Sequence, residues 1–226
     1  VSADIGRHED LLDRMAEAGC RSLFIGFESV YPNNLLKCRK VQNRIEQYDE
    51  TVAGIHRRGI MVNASVVFGF DGDDTGVFPA TLEWLTRNRI ATMTAHILTP
   101  YPGTRLYQRL VAEGRIIDSD LRHYNTAHAV FRPAQMTAAE LEKGYMDAYA
   151  RFYSWGSICR RWPVAAGQGR AYLEFNLLYR KYGKLTCALG RVFGMRPLAK
   201  LAKALAYPPR RTTAPVPRWA WKHAFS

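Results

Sequence analysis

Hydrophobic and polar positions along residues 1–114 change between two periods, one typical of strands and one typical of helices. Three short runs are apolar at nearly every position and predict strands: "SLFIGFES", "IMVNASVVFGF" and "ATMTAHILT". Around these runs, apolar residues recur every three or four positions, which predicts amphipathic helices. Strands and helices that alternate with short connections form parallel βαβ units. The pattern therefore predicts an α/β fold whose apolar strands are covered on both faces.

The predicted helices carry recognisable start and stop signals. The apolar stripe of the first helix consists of Leu11, Leu12, Met15 and Ala18, and Gly19 ends this helix. Asn43 and Glu46 have capping-box spacing at the start of the second helix, which ends at Gly59. Further helices are predicted over 75–89 and 104–114.

The second half of the chain changes character twice. Residues 115–136 show no regular period and predict an irregular cover. Thr137 and Glu140 form another capping box, followed by a long amphipathic helix that runs through Phe152. Short basic helices and a Pro-rich tail come last. These changes predict three parts with the boundaries 1–114, 115–160 and 161–226.

Charge divides the chain near residue 150. Residues 1–150 contain 17 Lys and Arg against 19 Asp and Glu, whereas residues 151–226 contain 15 against one, a net charge of +14. Aromatic residues are interleaved with these basic residues. Such a segment binds an anionic membrane surface, binds nucleic acid, or packs on the fold with its charges solvated. Because the aromatic residues fall at helical spacing and no nucleic-acid motif is present, we rank the membrane first, solvated packing second and nucleic acid last.

The cysteines predict no metal site. Cys20, Cys38, Cys159 and Cys187 have spacings that match no zinc, iron–sulfur or redox motif. Scattered cysteines suit a reducing cytosol, and no signal peptide or membrane-spanning run is present. We therefore expect a cytoplasmic protein, either free or peripheral at the inner membrane surface. The chain begins at Val1 inside an apparent element, so we also expect it to be a fragment.

Three motifs resemble, in order and spacing, the fourth, fifth and sixth strands of a radical S-adenosylmethionine (SAM) enzyme barrel. They are "SLFIGFES", "SVVFGFDGDD" and "ILTPYPGT". The likeness is to the members that carry a cobalamin-binding domain before the radical SAM domain. Among these are the hopanoid methylases, whose C-terminal extension is similar to "HAVFRPAQMT…YARFYSW" here. The resemblance covers about residues 1–160. It implies the C-terminal half of a partial (β/α)6 TIM-like barrel, followed by a mainly helical basic extension.

The resemblance also implies cofactors for the complete enzyme. In this family a CxxxCxxC loop ligates a [4Fe–4S] cluster whose open iron chelates SAM, and that loop is absent here. SAM and the cluster are therefore implied only together with an N-terminal half-barrel, in cis or in trans, and cobalamin is added in the cobalamin-dependent members. The implied function is SAM-dependent radical chemistry, including methyl transfer, on a small-molecule or lipid-like substrate. This chain would be inactive alone and holds no predicted catalytic residue. The alternative is a non-catalytic remnant module that binds a membrane or a partner.

The loop after the third strand carries the first group of candidate SAM contacts. Adenine needs an apolar wall and backbone hydrogen bonds, and a strand end stiffened by proline presents both without reorganising. The resemblance assigns this role to Leu98, Thr99, Pro100 and Tyr101. In the alternative interpretation, "TPYPGT" is only a tight turn with Thr104 as the N-cap of the next helix. Both interpretations can hold at once.

The first two strands supply the remaining candidates for cofactor binding. Glu28 ends an apolar strand, where its carboxylate either accepts hydrogen bonds from a ribose or ammonium group or is simply solvated or salt-bridged. Gly69 allows backbone to approach a ligand closely, and Ser65 either contacts SAM or fills the core. "DGDD" predicts a solvated acidic loop rather than a calcium site, because no closing Glu follows.

Other charged residues near these strands have weaker claims. Lys37, Arg39 and Lys40 either pair with the carboxylate of SAM or are solvated. His96 lies on a strand and is expected to face the barrel interior, where a lone histidine is usually structural.

Overall fold

The computed structural model describes residues 1–30 and 47–179. Several predictions therefore lie outside the described residues: those for Lys37, Arg39 and Lys40, the capping box of Asn43 and Glu46, and the basic segment after residue 179.

The elements of the described part alternate as the sequence predicts. Strands β1, β2 and β3 are Ser22–Glu28, Met61–Phe68 and Thr92–Ile97. The helices are α1 (Glu9–Glu17), α2 (Tyr48–Arg57), α3 (Val77–Arg87), α4 (Arg105–Ala112), α5 (Ala138–Phe152) and α6 (Trp155–Arg160). Short 3-10 helices lie at Ala3–Arg7 and Leu121–His123, and residues 169–179 are helical. The predicted α/β class is confirmed.

The three strands form one parallel sheet in the order β1–β2–β3. At the β1 side, Ser2 makes an isolated parallel bridge to Gly26, and the Gly26 N–H donates to the Val1 carbonyl at 3.2 Å. The amino-terminal residues therefore run beside β1 in the direction of a further parallel strand before the chain turns into the 3-10 helix.

The sheet is buried on one face only, so the prediction of strands covered on both faces is wrong. Burial alternates along each strand, and positions such as Ile25 and Ala64 are fully buried beneath the helices. Positions on the opposite face are half-exposed, and Phe24 is 52% exposed. The opposite face is mainly small or polar, as at Ser65 and Thr94, and also carries Phe24 and Val67.

Helix termini follow their sequence signals closely, although one stripe is shifted. The Thr137 and Glu140 side chains make both hydrogen bonds of a capping box at the start of α5. In α1, Leu12 is buried and Met15 packs against the core, whereas Leu11 is 44% exposed. The predicted stripe of Leu11, Leu12, Met15 and Ala18 is therefore wrong at its two ends, since Ala18 is exposed as well. The helix presents the narrower row Leu12–Met15–Ala16.

Helix α5 covers the outer edge of β3 with tyrosine hydroxyls. The Tyr149 hydroxyl accepts from the Ala95 N–H at 2.9 Å and donates to the Ala95 carbonyl at 3.2 Å. One turn later, the Tyr153 hydroxyl makes the same pair of bonds with Met93, at 3.1 and 2.8 Å. Burial raises the pKa of Tyr149 to about 12, so this hydroxyl keeps the proton that it donates. The edge strand is thereby shielded from pairing with another chain.

Removing the Tyr153 hydroxyl is expected to weaken this edge. In Tyr153→Phe, the buried Met93 N–H and carbonyl lose their partner, which costs about 1–3 kcal/mol of the free energy of unfolding. Chemical denaturation measures this loss, and hydrogen exchange at the Met93 amide is expected to accelerate. Tyr179→Phe is the matched control, because the Tyr179 ring stacks on Tyr153 at 5.1 Å but is 48% exposed. Equal losses in the two variants would contradict the role of the Tyr153 hydroxyl.

The amino end of the sheet is closed by the chain after α5. Arg161 is fully buried, and its guanidinium donates to the carbonyls of Ile90 at 2.6 Å and Ala91 at 3.0 Å, just before β3. The Gln168 amide donates to the Gly59 carbonyl at 2.5 Å, just before β2. Residues 155–179 therefore lie against the end of the sheet opposite to the carboxyl ends of the strands.

Candidate functional site

The carboxyl end of β1 contains a strained turn centred on Glu28. Glu28 has a φ of 67°, and the Ser29 N–H donates to the Phe27 carbonyl at 2.9 Å across it. A positive φ with this hydrogen bond is typical of the rarer form of γ-turn, which a residue with a side chain adopts at a cost of about 1–3 kcal/mol. The Phe27 carbonyl is also held by the Tyr48 hydroxyl at 2.8 Å. The surrounding structure thus fixes Glu28 at the strand end in a conformation that glycine would adopt more easily.

The carboxyl end of β2 is organised by Asp73. This carboxylate is fully buried, and its Oδ2 accepts the N–H groups of Gly69 at 2.8 Å and Phe70 at 3.0 Å. Gly69 has a φ of 102°, and a Cβ on it would lie 2.9 Å from the Leu141 side chain. The backbone at Gly69 therefore packs closely against α5. The Asp73 carboxylate fixes the backbone conformation at the end of β2.

The acidic loop predicted to be solvated is instead tied into the fold, so that prediction is wrong. Asp71 accepts hydrogen bonds from Arg109 and Arg115, both at 2.8 Å. Burial acts to raise the pKa of Asp71, but the hydrogen bonds and charges of the two arginines outweigh it and hold the pKa below its usual value. Together with buried Asp73, Asp71 fastens the loop after β2 to α4 and to the segment that follows α4.

The loop after β3 combines buried and exposed candidates. Thr99 and Pro100 are buried, and the Thr99 hydroxyl donates to the Ile97 carbonyl at 3.0 Å. Leu98 continues the pairing of β3 with β2, since its N–H donates to the Phe68 carbonyl at 2.8 Å. Tyr101 is 47% exposed. Residues 102–103 form a turn, as the interpretation of "TPYPGT" as a tight turn predicts.

Thr104 caps the helix after this loop. Its hydroxyl oxygen accepts the Tyr107 N–H at 3.2 Å at the start of α4. The capping role proposed for Thr104 is thereby confirmed. None of the residues Leu98–Tyr101 is needed to cap α4.

Ser65 lies on the uncovered face of the sheet, which we call the open face. In register across the three strands, Gly26 pairs with Ser65, and Ser65 pairs with Thr94. The open face includes Phe24, Gly26, Asn63, Ser65, Val67, Thr94 and His96. Ser65 is half-buried in this row. His96 also lies on the open face, and its Nδ1 is 3.1 Å from the Thr126 hydroxyl.

Sequence reasoning missed a pair of histidines beside this end of β3. The Thr126 carbonyl accepts the Ile97 N–H at 2.7 Å, which holds residues 118–128 against the strand. Within this loop, His123 Nδ1 is 2.6 Å from the Asp118 carboxylate, and the His123 and His128 rings are 5.3 Å apart. The Asp120 N–H and His123 both lower the pKa of Asp118. The sequence signal was the cluster of Asp and His in "DSDLRHYNTAH", which carries no strand or helix period.

The described residues hold no group of three or more His, Cys, Asp or Glu that could bind a metal ion. Cys20 lies just before β1 and Cys159 lies in α6, so neither described cysteine belongs to the loops at the carboxyl ends of the strands. Within the same residues, no helix has the length and hydropathy to cross a membrane.

The chain is similar to one family model and to several known proteins. A family model described as a domain of unknown function, DUF4070, matches residues 104–167. The bacteriochlorophyllide d C-12(1)-methyltransferase of Chlorobaculum tepidum is 29% identical over 161 residues, 71% of this chain and 35% of that protein. The hopanoid C-2 methylase of Rhodopseudomonas palustris is 28% identical over 164 residues, 72% of this chain and 30% of that protein.

A third relative acts as a cyclase. The anaerobic magnesium-protoporphyrin IX monomethyl ester cyclase of Cereibacter sphaeroides is 25% identical over 152 residues, 66% of this chain and 24% of that protein. These relatives agree with the motifs at the three strand ends. These similarities support the resemblance to radical SAM enzymes. It spans about a third or less of the length of these relatives. Radical SAM enzymes use SAM and an iron–sulfur cluster.

Proposed function

We propose that this chain is the C-terminal half of a partial (β/α)6 radical SAM barrel and that the carboxyl ends of its strands hold SAM. The observation that carries this proposal is the strained turn at Glu28, on the same edge of the sheet as Gly69 and Thr99. The open polar face supports it, because a barrel interior that takes a polar cofactor needs polar side chains there. Residues 1–114 would form the barrel part, 115–160 the family extension and 161–226 the basic segment.

Each candidate residue has a distinct role in this proposal. Leu98, Thr99, Pro100 and Tyr101 form the adenine wall, because the buried Thr99 and Pro100 are already fixed before a ligand arrives. Glu28 accepts hydrogen bonds from the ribose hydroxyls or the ammonium group of SAM. Ser65 contacts SAM from the open face, and Gly69 keeps the end of β2 close to α5 so that backbone lines the site.

The described residues fit SAM but do not fit the cluster. No described cysteine lies at the strand ends, and no metal-binding group of three is present among the described residues. Residues outside this part would have to ligate the [4Fe–4S] cluster, in cis or in trans. When both groups are bound, they supply a radical that abstracts hydrogen from the substrate. The residues of this chain bind and orient SAM and keep water away from it.

The names of the relatives support a proposal for the substrate class. As their names state, the two methyltransferases act on a bacteriochlorophyllide and on hopanoids, which are large and mainly apolar molecules. We propose methyl transfer to a lipid-like or comparably apolar small molecule, with cobalamin as a further cofactor of the complete enzyme. The second candidate function is a non-catalytic remnant module that binds a membrane or a partner.

Glu28→Gln tests the proposed site directly. The exchange removes the charge and leaves the backbone turn in place, so SAM affinity is expected to fall about 10- to 100-fold, the loss typical of a hydrogen bond to a charged group. Isothermal titration of the 226-residue chain with SAM measures this affinity. Glu83→Gln, an exposed residue of α3, is the matched control. Unchanged SAM affinity in Glu28→Gln would contradict the proposal.

Glu28→Gly separates strain from binding at the same position. Glycine adopts a positive φ readily, so the free energy of unfolding of this variant is expected to be about 1 kcal/mol higher than that of the wild type. Its affinity for SAM is expected to be lower. A chain that does not bind SAM at all in any variant would favour the non-catalytic module.

A further inference from the structure

Five large apolar side chains are exposed on residues 155–179, which we call the aromatic face. Trp155 begins α6 and Trp162 follows its end, and each of the two is 47% exposed. Val164, Leu178 and Tyr179 complete the aromatic face. Exposed apolar side chains gathered in one segment are more typical of an interaction surface than single ones scattered over a protein.

The rings of the aromatic face are held in place by the fold. The Trp162 ring lies 5.8 Å from the buried Tyr172 ring, and a Cβ on Gly169 would lie 2.6 Å from it. Tyr172 is in turn anchored by its hydroxyl, which donates to the Ile158 carbonyl at 2.7 Å. Tyr179 stacks on Tyr153 at 5.1 Å. These rings are half-exposed and fixed, so an apolar partner can bind them at little cost in side-chain entropy.

The charged side chains of residues 151–179 are mainly basic, four arginines against one glutamate. Arg151 and Arg160 are exposed, and Arg170 pairs with Glu174 at 2.8 Å. Glu174 is the single acidic residue after position 150, and the sequence adds eleven further Lys and Arg after residue 179. A partner with an anionic surface therefore meets almost no repulsion from this part of the chain.

We infer that the aromatic face binds the surface of an anionic lipid membrane. Tryptophan and tyrosine favour the boundary between headgroups and acyl chains, and each nearby Lys or Arg adds about 1 kcal/mol of attraction to anionic lipid. Val164 and Leu178 favour lipid over nucleic acid, because aliphatic side chains fit the acyl boundary and offer no surface on which bases stack.

The position of the aromatic face determines what such binding does. Arg161 and Gln168 tie this segment to the residues just before β3 and β2, at the amino end of the sheet. The candidate site lies at the carboxyl end, about 20 Å away along strands of this length. Membrane binding would therefore anchor the protein with its strand ends directed away from the lipid. A lipid-like substrate would have to reach the site by a route other than the membrane contact itself.

Vesicle binding of the 226-residue chain tests this inference without SAM. Binding to vesicles of phosphatidylglycerol and phosphatidylcholine is expected to be at least about tenfold tighter than to phosphatidylcholine alone, and tryptophan fluorescence is expected to shift to the blue. The double variant Trp155→Ala, Trp162→Ala is expected to bind at least about tenfold more weakly. Its circular dichroism and unfolding midpoint show whether it is folded, and Trp155→Ala alone leaves the packed Trp162 intact.

Two controls make the result decisive. Leu121→Ala and Met146→Ala remove apolar side chains that are 65% and 63% exposed outside the aromatic face, and both variants are expected to bind vesicles like the wild type. Vesicle binding that needs no anionic lipid, or that survives the loss of both tryptophans, would overturn the inference. So would tight binding to nucleic acid that the tryptophan variants retain, together with no binding to vesicles.

Discussion

Replacing Arg161 with methionine is expected to lower the free energy of unfolding by about 2–5 kcal/mol, because buried carbonyls lose their donor. The fully buried guanidinium bonds Ile90 and Ala91 before β3 and, at 2.8 Å, the Phe152 carbonyl at the end of α5. It also lies 3.6 Å over the Phe152 ring. Burial lowers the pKa of Arg161 to about 10, and the group is still charged at neutral pH.

Matched variants separate this role from a general effect of charge. A lysine ammonium group cannot reach several carbonyls at once as the planar guanidinium does. Arg161→Lys is therefore expected to lose less free energy of unfolding than Arg161→Met, but still to be less stable than the wild type. The exposed neighbour is the control, since Arg160→Met is expected to change the free energy of unfolding by less than about 0.5 kcal/mol. Urea denaturation of the three variants measures these differences. A cost for Arg161→Met similar to that for Arg160→Met would show that the buried fork does not hold the end of the sheet.

Replacing Asp73 with alanine is expected to damage stability and the candidate site together. The Gly69 and Phe70 N–H groups lose a buried acceptor, which costs about 2–4 kcal/mol in total, and the end of β2 loses its conformation. SAM affinity is expected to fall in the same variant, because Gly69 belongs to the proposed site.

Asp73→Asn and Asp74→Ala refine this prediction. Asparagine keeps one oxygen acceptor, so its effect on unfolding is expected to be smaller than that of alanine. Asp74 is exposed, and its carboxylate accepts the Gly76 N–H at 2.8 Å, so its loss is expected to cost about 1 kcal/mol or less. If Asp73→Ala unfolded like the wild type, the buried carboxylate would not be the organising group of the loop.

Local periodicity was enough to predict the elements, since strands, helices and caps depend on neighbours in the sequence. The capping box of Thr137 and Glu140 and the N-cap at Thr104 are examples. Leu11 shows the limit of this kind of prediction. Which apolar residues of a short helix are buried depends on the elements that pack against the helix, and the local sequence does not reveal them. The open face was missed for a similar reason: Phe24 is as apolar as the buried Ile25, and only the helix layer distinguishes them.

The polar groups of the fold were harder to predict because their partners are distant in sequence. Arg161 lies in a basic segment and was indistinguishable there from solvated arginines, yet its partners at Ile90 and Ala91 are about 70 residues away. Asp73 looked like one of several loop aspartates, and its burial depends on how the strand end folds over it. The candidates Glu28 and Thr99 were reached through strand ends and family resemblance.

The central claim is that SAM binds at the carboxyl ends of the strands, and a residue-resolved NMR titration of the 226-residue chain with SAM tests it most directly. We predict that amide signals of Glu28, Gly69 and Leu98–Tyr101 shift as SAM is added. Signals of Arg161 and Gln168, at the amino end of the sheet, should remain in place. Shifts confined to the amino end of the sheet, or no shift at the strand ends when SAM is in large excess, would contradict the account.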